Sequence, residues 1–346
     1  MPDYADVLLD RPNGAVNDRA DLLQIGEWAS CPRHMQSGMP CQDTADRVSR
    51  SEPGRNFFVA DIFGATPKGD VASMEHPLFA LQANDRQVKV YRHNNCTVTV
   101  SPGRGGCATI HDKDLWIYCI SQLVAAMNRG SSVSRVVRFK VCDFLRATNR
   151  GTSGRDYERV TEMLRRLSET RVETSIKTEG RCEIGFWGLV SHAEMIVPQG
   201  HENMTAIEVE LPAWLFGSIE AMKVKTLSPA YFQLRKPIER RIYEIARKHC
   251  GEQPIWRISL AVLHVKSGSR SPLRNFRQDV RKLAESGRLP DYLMAYDRAR
   301  DIITFYGNGP KGRQAEARDM VAGRPHAPIA AHEALHHRKA RKTGRS

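Results

Sequence analysis

The residues with the clearest chemical potential lie between Trp256 and Tyr306. From Pro272 to Ser286, Leu273, Phe276, Val280 and Leu283 recur at helical spacing and define one apolar face. The opposite face carries Arg274, Asn275, Arg277, Gln278, Arg281 and Lys282. This set is suited to recognition of bases and phosphates rather than to bond making. Arginine can donate two hydrogen bonds to a guanine, Asn and Gln can pair bidentately with adenine, and Lys can reach a phosphate. Ser271 and Pro272 provide a helix start, and Gly287 a stop. Two β-rich segments follow, 292–297 and 301–306. The residues Asp297-Arg298-Ala299-Arg300-Asp301 between them would place Arg298 and Arg300 on a hairpin tip. A second basic face, with Arg155, Arg159 and Arg166, lies on a predicted helix over 154–168 whose other side carries Tyr157, Val160, Leu164 and Leu167. The plain alternative for both is that Arg and Lys merely solvate a surface helix.

Patterns for a catalytic or metal centre fail one after another. Pro102-Gly103-Arg104-Gly105-Gly106-Cys107 is Gly-rich but lacks the lysine and hydroxyl that close a phosphate-binding P-loop, so an ordinary loop is expected. A nicking enzyme needs two histidines separated by one apolar residue, and His336-His337 has no spacer. His192-Ala193-Glu194 has half of a zinc-deaminase pattern without the Pro-Cys-x-x-Cys half. A Gly-x-Ser-x-Gly nucleophile motif is missing. His111, Asp112 and Asp114 are explained by a helix N-terminus without a metal, and His332 with His336 is only a weak metal pair. The expectation is no catalytic residue, no metal and no cofactor.

The elements that must hold these residues occur twice in the same order. A strand at 135–140, a short helix at 141–146, the Arg-faced helix 154–168 and two strands, 170–177 and 183–196, form one series. A strand at 256–259, a short helix after it, the helix 272–286 and two strands form the other. Each series has a lead-in helix, 115–128 and 237–249. The first is apolar nearly all round and so is expected to be buried. The second is expected to turn Ile238, Ile242, Ile245 and His249 inward and Arg240, Arg241, Arg247 and Lys248 outward. Strand 206–211 and a helix at 213–220 would lie between the two series. A strand, a helix, a turn, a second helix and a β-hairpin make a winged helix-turn-helix. The predicted fold is therefore α+β, with two tandem winged-helix domains over 55–200 and 201–308. Flexible arms flank them: an acidic one over 1–54, whose apolar piece at 22–28 is read as a sticky spot in a disordered arm ahead of a docking helix for a partner, and a basic tail over 309–346.

The chain has 346 residues, with 52 Lys and Arg against 39 Asp and Glu, a formal net charge of +13. Most of that surplus falls in 55–308, as a polyanion-binding surface requires. The eight cysteines are scattered with no C-x-x-C pair, the pattern of reduced thiols in a cytoplasmic protein. No apolar run approaches the roughly 20 residues of a membrane helix, and no secretion signal opens the chain.

Several segments resemble, in order, a known family. They are Phe57–Phe63, Ser73–Phe79, Ala108–Asp114 with Ile117–Leu123, Arg146–Gly154 and Leu234–Gly251. Together, over about 55–308, they resemble the plasmid replication initiator protein A family of proteobacteria. The resemblance implies binding of double-stranded DNA at repeated origin sites (iterons), help in opening adjacent DNA, and recruitment of the host initiator and helicase. It also implies homodimer and monomer forms, the dimer repressing its own gene. Helix 272–286 would read the major groove; 154–168 would lie in a domain for dimerisation and auxiliary DNA contacts. Two rivals stand beside this reading: a winged-helix repressor with no initiation role, and a metal-dependent nicking initiator.

Overall fold

The structure, a computed structural model, describes residues 57–93, 96–178, 181–196, 205–328 and 331–332. The acidic arm, its piece at 22–28, the turn at Asn94-Asn95 and the last residues of the basic tail lie outside them.

The described chain is α+β. It opens with β1 (Phe58–Val59), β2 (Lys68–Asp70), α1 (Val71–Glu75), β3 (Lys89–His93) and β4 (Cys96–Ser101). Next come α2 (Asp114–Met127), β5 (Val136–Lys140), α3 (Val141–Ala147), α4 (Gly154–Glu169), β6 (Arg171–Thr178), β7 (Arg181–Gly188), β8 (His192–Ile196) and β9 (Ala206–Glu210). α5 (Ala213–Glu220), β10 (Val224–Thr226) and a 3-10 turn (Pro229–Gln233) lead to α6 (Pro237–His249). The chain continues with β11 (Ile255–Ser259), α7 (Leu260–Ser267), α8 (Leu273–Ser286), β12 (Tyr292–Asp297), β13 (Ile302–Gly307) and α9 (Pro310–Val321).

α2 is buried along almost its whole length, as its apolar sequence demands. Trp116, Tyr118 and Leu123 of α2 share one core with Phe139, Phe144, Val160, Leu164 and Leu167. Ser153 and Asp156 close the expected capping box at the start of α4: the Ser153 amide and hydroxyl both donate to the Asp156 carboxylate. α6 organises a second core, in which Ile242, Tyr243 and Ile245 meet Leu260, Leu263, Phe276, Val280 and Phe305. That core also takes Met74 and Ile117 from the first half of the chain.

The second series forms a three-stranded antiparallel sheet in the order β11-β13-β12, with Trp256 opposite Phe305 and Met294 opposite Phe305. The first series departs from expectation. β6 and β7 do not pair with β5; they extend β3 and β4 into a separate antiparallel sheet, β3-β4-β6-β7. The predicted strand 183–196 breaks where Leu189 and Val190 turn into the core. Its second part, β8, joins β9 and β5 in the order β1-β5-β9-β8. Strand 206–210 therefore belongs to the first unit, and a boundary at 200 would cut its sheet. The reason is pairing: the Val136–Lys140 edge needs a partner, and Ile207 and Val209 bury their side chains there. The element order β5-β9-β8 now mirrors β11-β13-β12.

Two further expectations are overturned. Arg240 and Arg241 of α6 are buried, and the Lys248 side chain is only 4% exposed, because α6 lies between the two cores rather than on the surface. His249 does pack, stacking on Trp256 at 5.0 Å. Residues from 309 do not begin a structureless tail. α9 lies against β13 and β11, and Ala327 and Ala331 return to pack on Leu293, Ala295 and Tyr306.

Candidate nucleic-acid interface

α7 and α8 are set by their ends. The Ser259 hydroxyl accepts from the Val262 amide and starts α7. Gly268 stops it at φ +67°, where a side-chain carbon would lie 2.6 Å from Pro77, so only glycine lets the first half approach this turn. α8 begins at Leu273, with the Pro272 carbonyl accepting from Asn275 and Phe276; Ser271 does not cap it. Instead the Ser271 carbonyl meets His264 Nε2 at 2.8 Å. Phe276, Val280 and Leu283 are buried as the periodicity requires, and Gly287 ends the helix at φ +54°.

The opposite face of α8 is open. Arg274, Asn275, Gln278 and Lys282 are exposed. Arg281 is also exposed and sits 3.2 Å from Glu285, a pair loose enough to yield to a stronger anion. Arg298 and Arg300 stand exposed on the β12–β13 tip, which Asp297 stiffens by accepting from the Ala299 and Arg300 amides. Arg277 differs. Its Nε and terminal nitrogen donate to the two oxygens of Asp301 at 3.1 and 2.8 Å, and the Tyr296 hydroxyl donates to the same carboxylate. The hydrogen bonds from Arg277 hold the Asp301 carboxyl below its ordinary range. This bond places the arginine tip beside the polar face of α8.

On α4, Arg155 is exposed and Arg159 forms an exposed pair with Asp156 at 3.1 Å. Arg166 is not available for a ligand: it is bidentate to the buried Asp112 at 2.9 and 2.8 Å. Periodicity puts Arg155, Arg159 and Arg166 together, but only a carboxylate 54 positions away decides that the third is a strut.

In the same segment the carboxylates of Asp112 and Asp114, weighed above as metal ligands with His111, are paired with arginines. Asp114 takes Arg150 at 2.8 Å and Arg240 at 2.5 Å, and the Arg150 guanidinium also donates to the His111 carbonyl. Lys113 meets Glu244 at 2.8 Å with both side chains 1% exposed, and the Tyr231 hydroxyl donates to Glu244. Nearby, Arg241 donates to the carbonyls of Ser73, Glu75 and Lys266. Glu75 gathers Lys248, Lys266 and His249. Burial alone would raise the Glu75 carboxyl; His249 at 3.1 Å and the charges of Lys266 and Lys248 outweigh it and hold the group well below the carboxylate range. Sequence reasoning missed this ionic layer. Its one signal was a tandem Arg240-Arg241 beside otherwise apolar helix positions.

Among the described residues no group of three or more His, Cys, Asp or Glu is placed to hold a metal ion, and no helix is long and apolar enough to cross a membrane.

Residues 68–294 match the family described as replication initiator protein A. A putative replication protein from Wigglesworthia glossinidia brevipalpis is 38% identical over 262 residues, which span 75% of this chain and 95% of that protein. The crystal structure of domains 2 and 3 of RctB matches with a TM-score of 0.52 over 69% of this chain and 98% of that one. At 9% identity that likeness is one of fold.

Proposed function

The chain belongs to the replication initiator protein A family, and on that premise we propose that it binds repeated double-stranded DNA sites in a plasmid origin. Its further work is to help open the adjacent duplex and to recruit the host initiator and helicase. It acts in the cytoplasm of the plasmid-bearing cell and without bond-making chemistry of its own. One observation carries the reading: the exposed row Arg274, Asn275, Gln278, Arg281 and Lys282 on α8 lies beside the Arg298/Arg300 tip. In that reading 255–307 is a winged helix-turn-helix. α8 enters the major groove and the tip reaches the backbone or minor groove. The β5-β9-β8 sheet with α3 and α4 is the matching first winged helix, and Arg155 and Arg159 supply auxiliary phosphate contacts.

A homodimer through the first unit is supported by the uncovered face of the β3-β4-β6-β7 sheet. Val90, Thr99, Glu173 and Phe186 stand in register across it, and Val90 and Phe186 are 50% and 72% exposed. In such a dimer the chain would repress its own gene, and the monomer would initiate.

The test is binding to fragments of the plasmid's own origin, with competitor DNA, over a salt series. Gln278→Ala or Arg274→Ala should cost about 1–3 kcal/mol at the specific site and little on random duplex. Arg298→Ala should weaken both duplexes alike and reduce the salt slope by about one. A steep salt slope with no preference for a repeated element would leave a generic basic binder. Magnesium-dependent nicking of supercoiled origin DNA, abolished by changing one tyrosine, would replace the reading with an enzymatic one.

A further inference from the structure

Asp301 touches three parts of the second unit at once. It closes the β12–β13 hairpin in the left-handed region, at φ +54°. Its carboxylate accepts two hydrogen bonds from Arg277 of α8 and one, at 2.6 Å, from the Tyr296 hydroxyl of β12. Its carbonyl accepts from the amide of Leu260, the first residue of α7, at 2.8 Å. A left-handed turn position alone would be served by Gly or Asn. The carboxylate adds something a turn does not need, a two-pronged seat for a guanidinium. The Arg277 and Asp301 side chains are 40% and 35% exposed, so as an isolated surface ion pair they contribute little to stability. Their effect is geometric: they fix the tip, already stiffened by Asp297, at one distance from α8.

Resting on the DNA-binding reading above, we infer that Asp301, supported by Tyr296, is a positioning residue that uses Arg277 to hold the Arg298/Arg300 tip in register with α8. Helix and tip then meet one duplex without being ordered at the moment of binding, which removes a cost that a loose hairpin would carry. Arg277, in the middle of the polar face, is a strut and reads no base. The opposite view, that Asp301 masks a base-reading Arg277, predicts effects of opposite sign.

The experiment measures binding of the full chain to the origin repeat and to a scrambled duplex by fluorescence anisotropy. The variants are Asp301→Ala, Arg277→Ala, their combination, and Arg298→Ala with Arg300→Ala in both the wild-type and Asp301→Ala backgrounds. Asp301→Ala and Arg277→Ala should each weaken binding to the repeat about tenfold, and the combination should be no worse than either. Loss of the two tip arginines should cost several-fold in the wild type and close to nothing once Asp301 is gone. A general loss of stability would not produce that coupling. Thermal midpoints check folding, and if Asp301→Ala does not fold, Arg277→Lys, which keeps the charge and loses the fork, takes its place in the same comparison. Tighter binding by Asp301→Ala, or losses that simply add, overturn the inference. A wild-type chain with no preference for the repeat overturns the functional reading and the inference with it.

Discussion

Two histidines near the junction of the cores should make the protein sensitive to acid. Burial pulls His76 down to about 3 and His111 down to about 4, against an ordinary value near 6.5. Both are neutral in the fold, whereas an unfolded chain binds their protons below about 6.5. Their contribution is complete above that value and is lost as pH falls toward 4. The midpoint of urea unfolding should therefore drop between pH 7 and pH 4.5, and His111→Gln should flatten the dependence. A midpoint that does not move between pH 7 and pH 5 would contradict this account. Residue type was legible at such positions, but role was not. Arg155 and Arg166 look alike on a helical wheel, yet one is exposed and the other is bound to Asp112.

Among the elements, α9 and the segment that follows it hold the outer side of the β11-β13-β12 sheet. Asp319 accepts from Arg257 at 2.5 Å and from the Tyr306 hydroxyl at 2.8 Å, and Glu316 accepts from the Ala327 amide and meets His332. Ala331 comes so close to Gly287 that a side-chain carbon there would lie 2.5 Å from the Ala331 carbonyl oxygen. The end of α8 is thus pinned by residues far along the chain. A chain ending at residue 308 should lose at least about 2 kcal/mol by uncovering Leu293 and Tyr306, read as a lower urea midpoint. Equal midpoints for the 308 and full-length chains would show that α9 only rests on the sheet. The basic composition of 309–332 hid this helix, because its buried positions are Gly312, Glu316 and Asp319 rather than large apolar residues.

At the scale of the whole molecule, α6 and the start of α2 join the two cores through charge rather than through apolar contact alone. Glu244→Ala would leave Lys113 buried without its partner, and the expected cost is about 3–5 kcal/mol. With such a junction the two halves should unfold together. Far-ultraviolet dichroism and tryptophan fluorescence should trace one coincident urea transition in the wild type. Two separated transitions would mean that the ionic layer does not couple them.

Helices α2 to α8, the burial of α2, the capping box of Ser153 and Asp156, the basic face of α8 and the family were readable from residue order alone. Each depends on neighbours within a turn or two, or on short motifs in sequence. The tertiary structure alone decided which hairpin completes the first sheet, that α9 straps the second, and which cations are spent inside. Strand pairing and ion pairing are set by partners far away in sequence, 131 positions for Lys113 and Glu244. Hydrophobic periodicity reports which face of an element is covered, but it carries no information about what covers it.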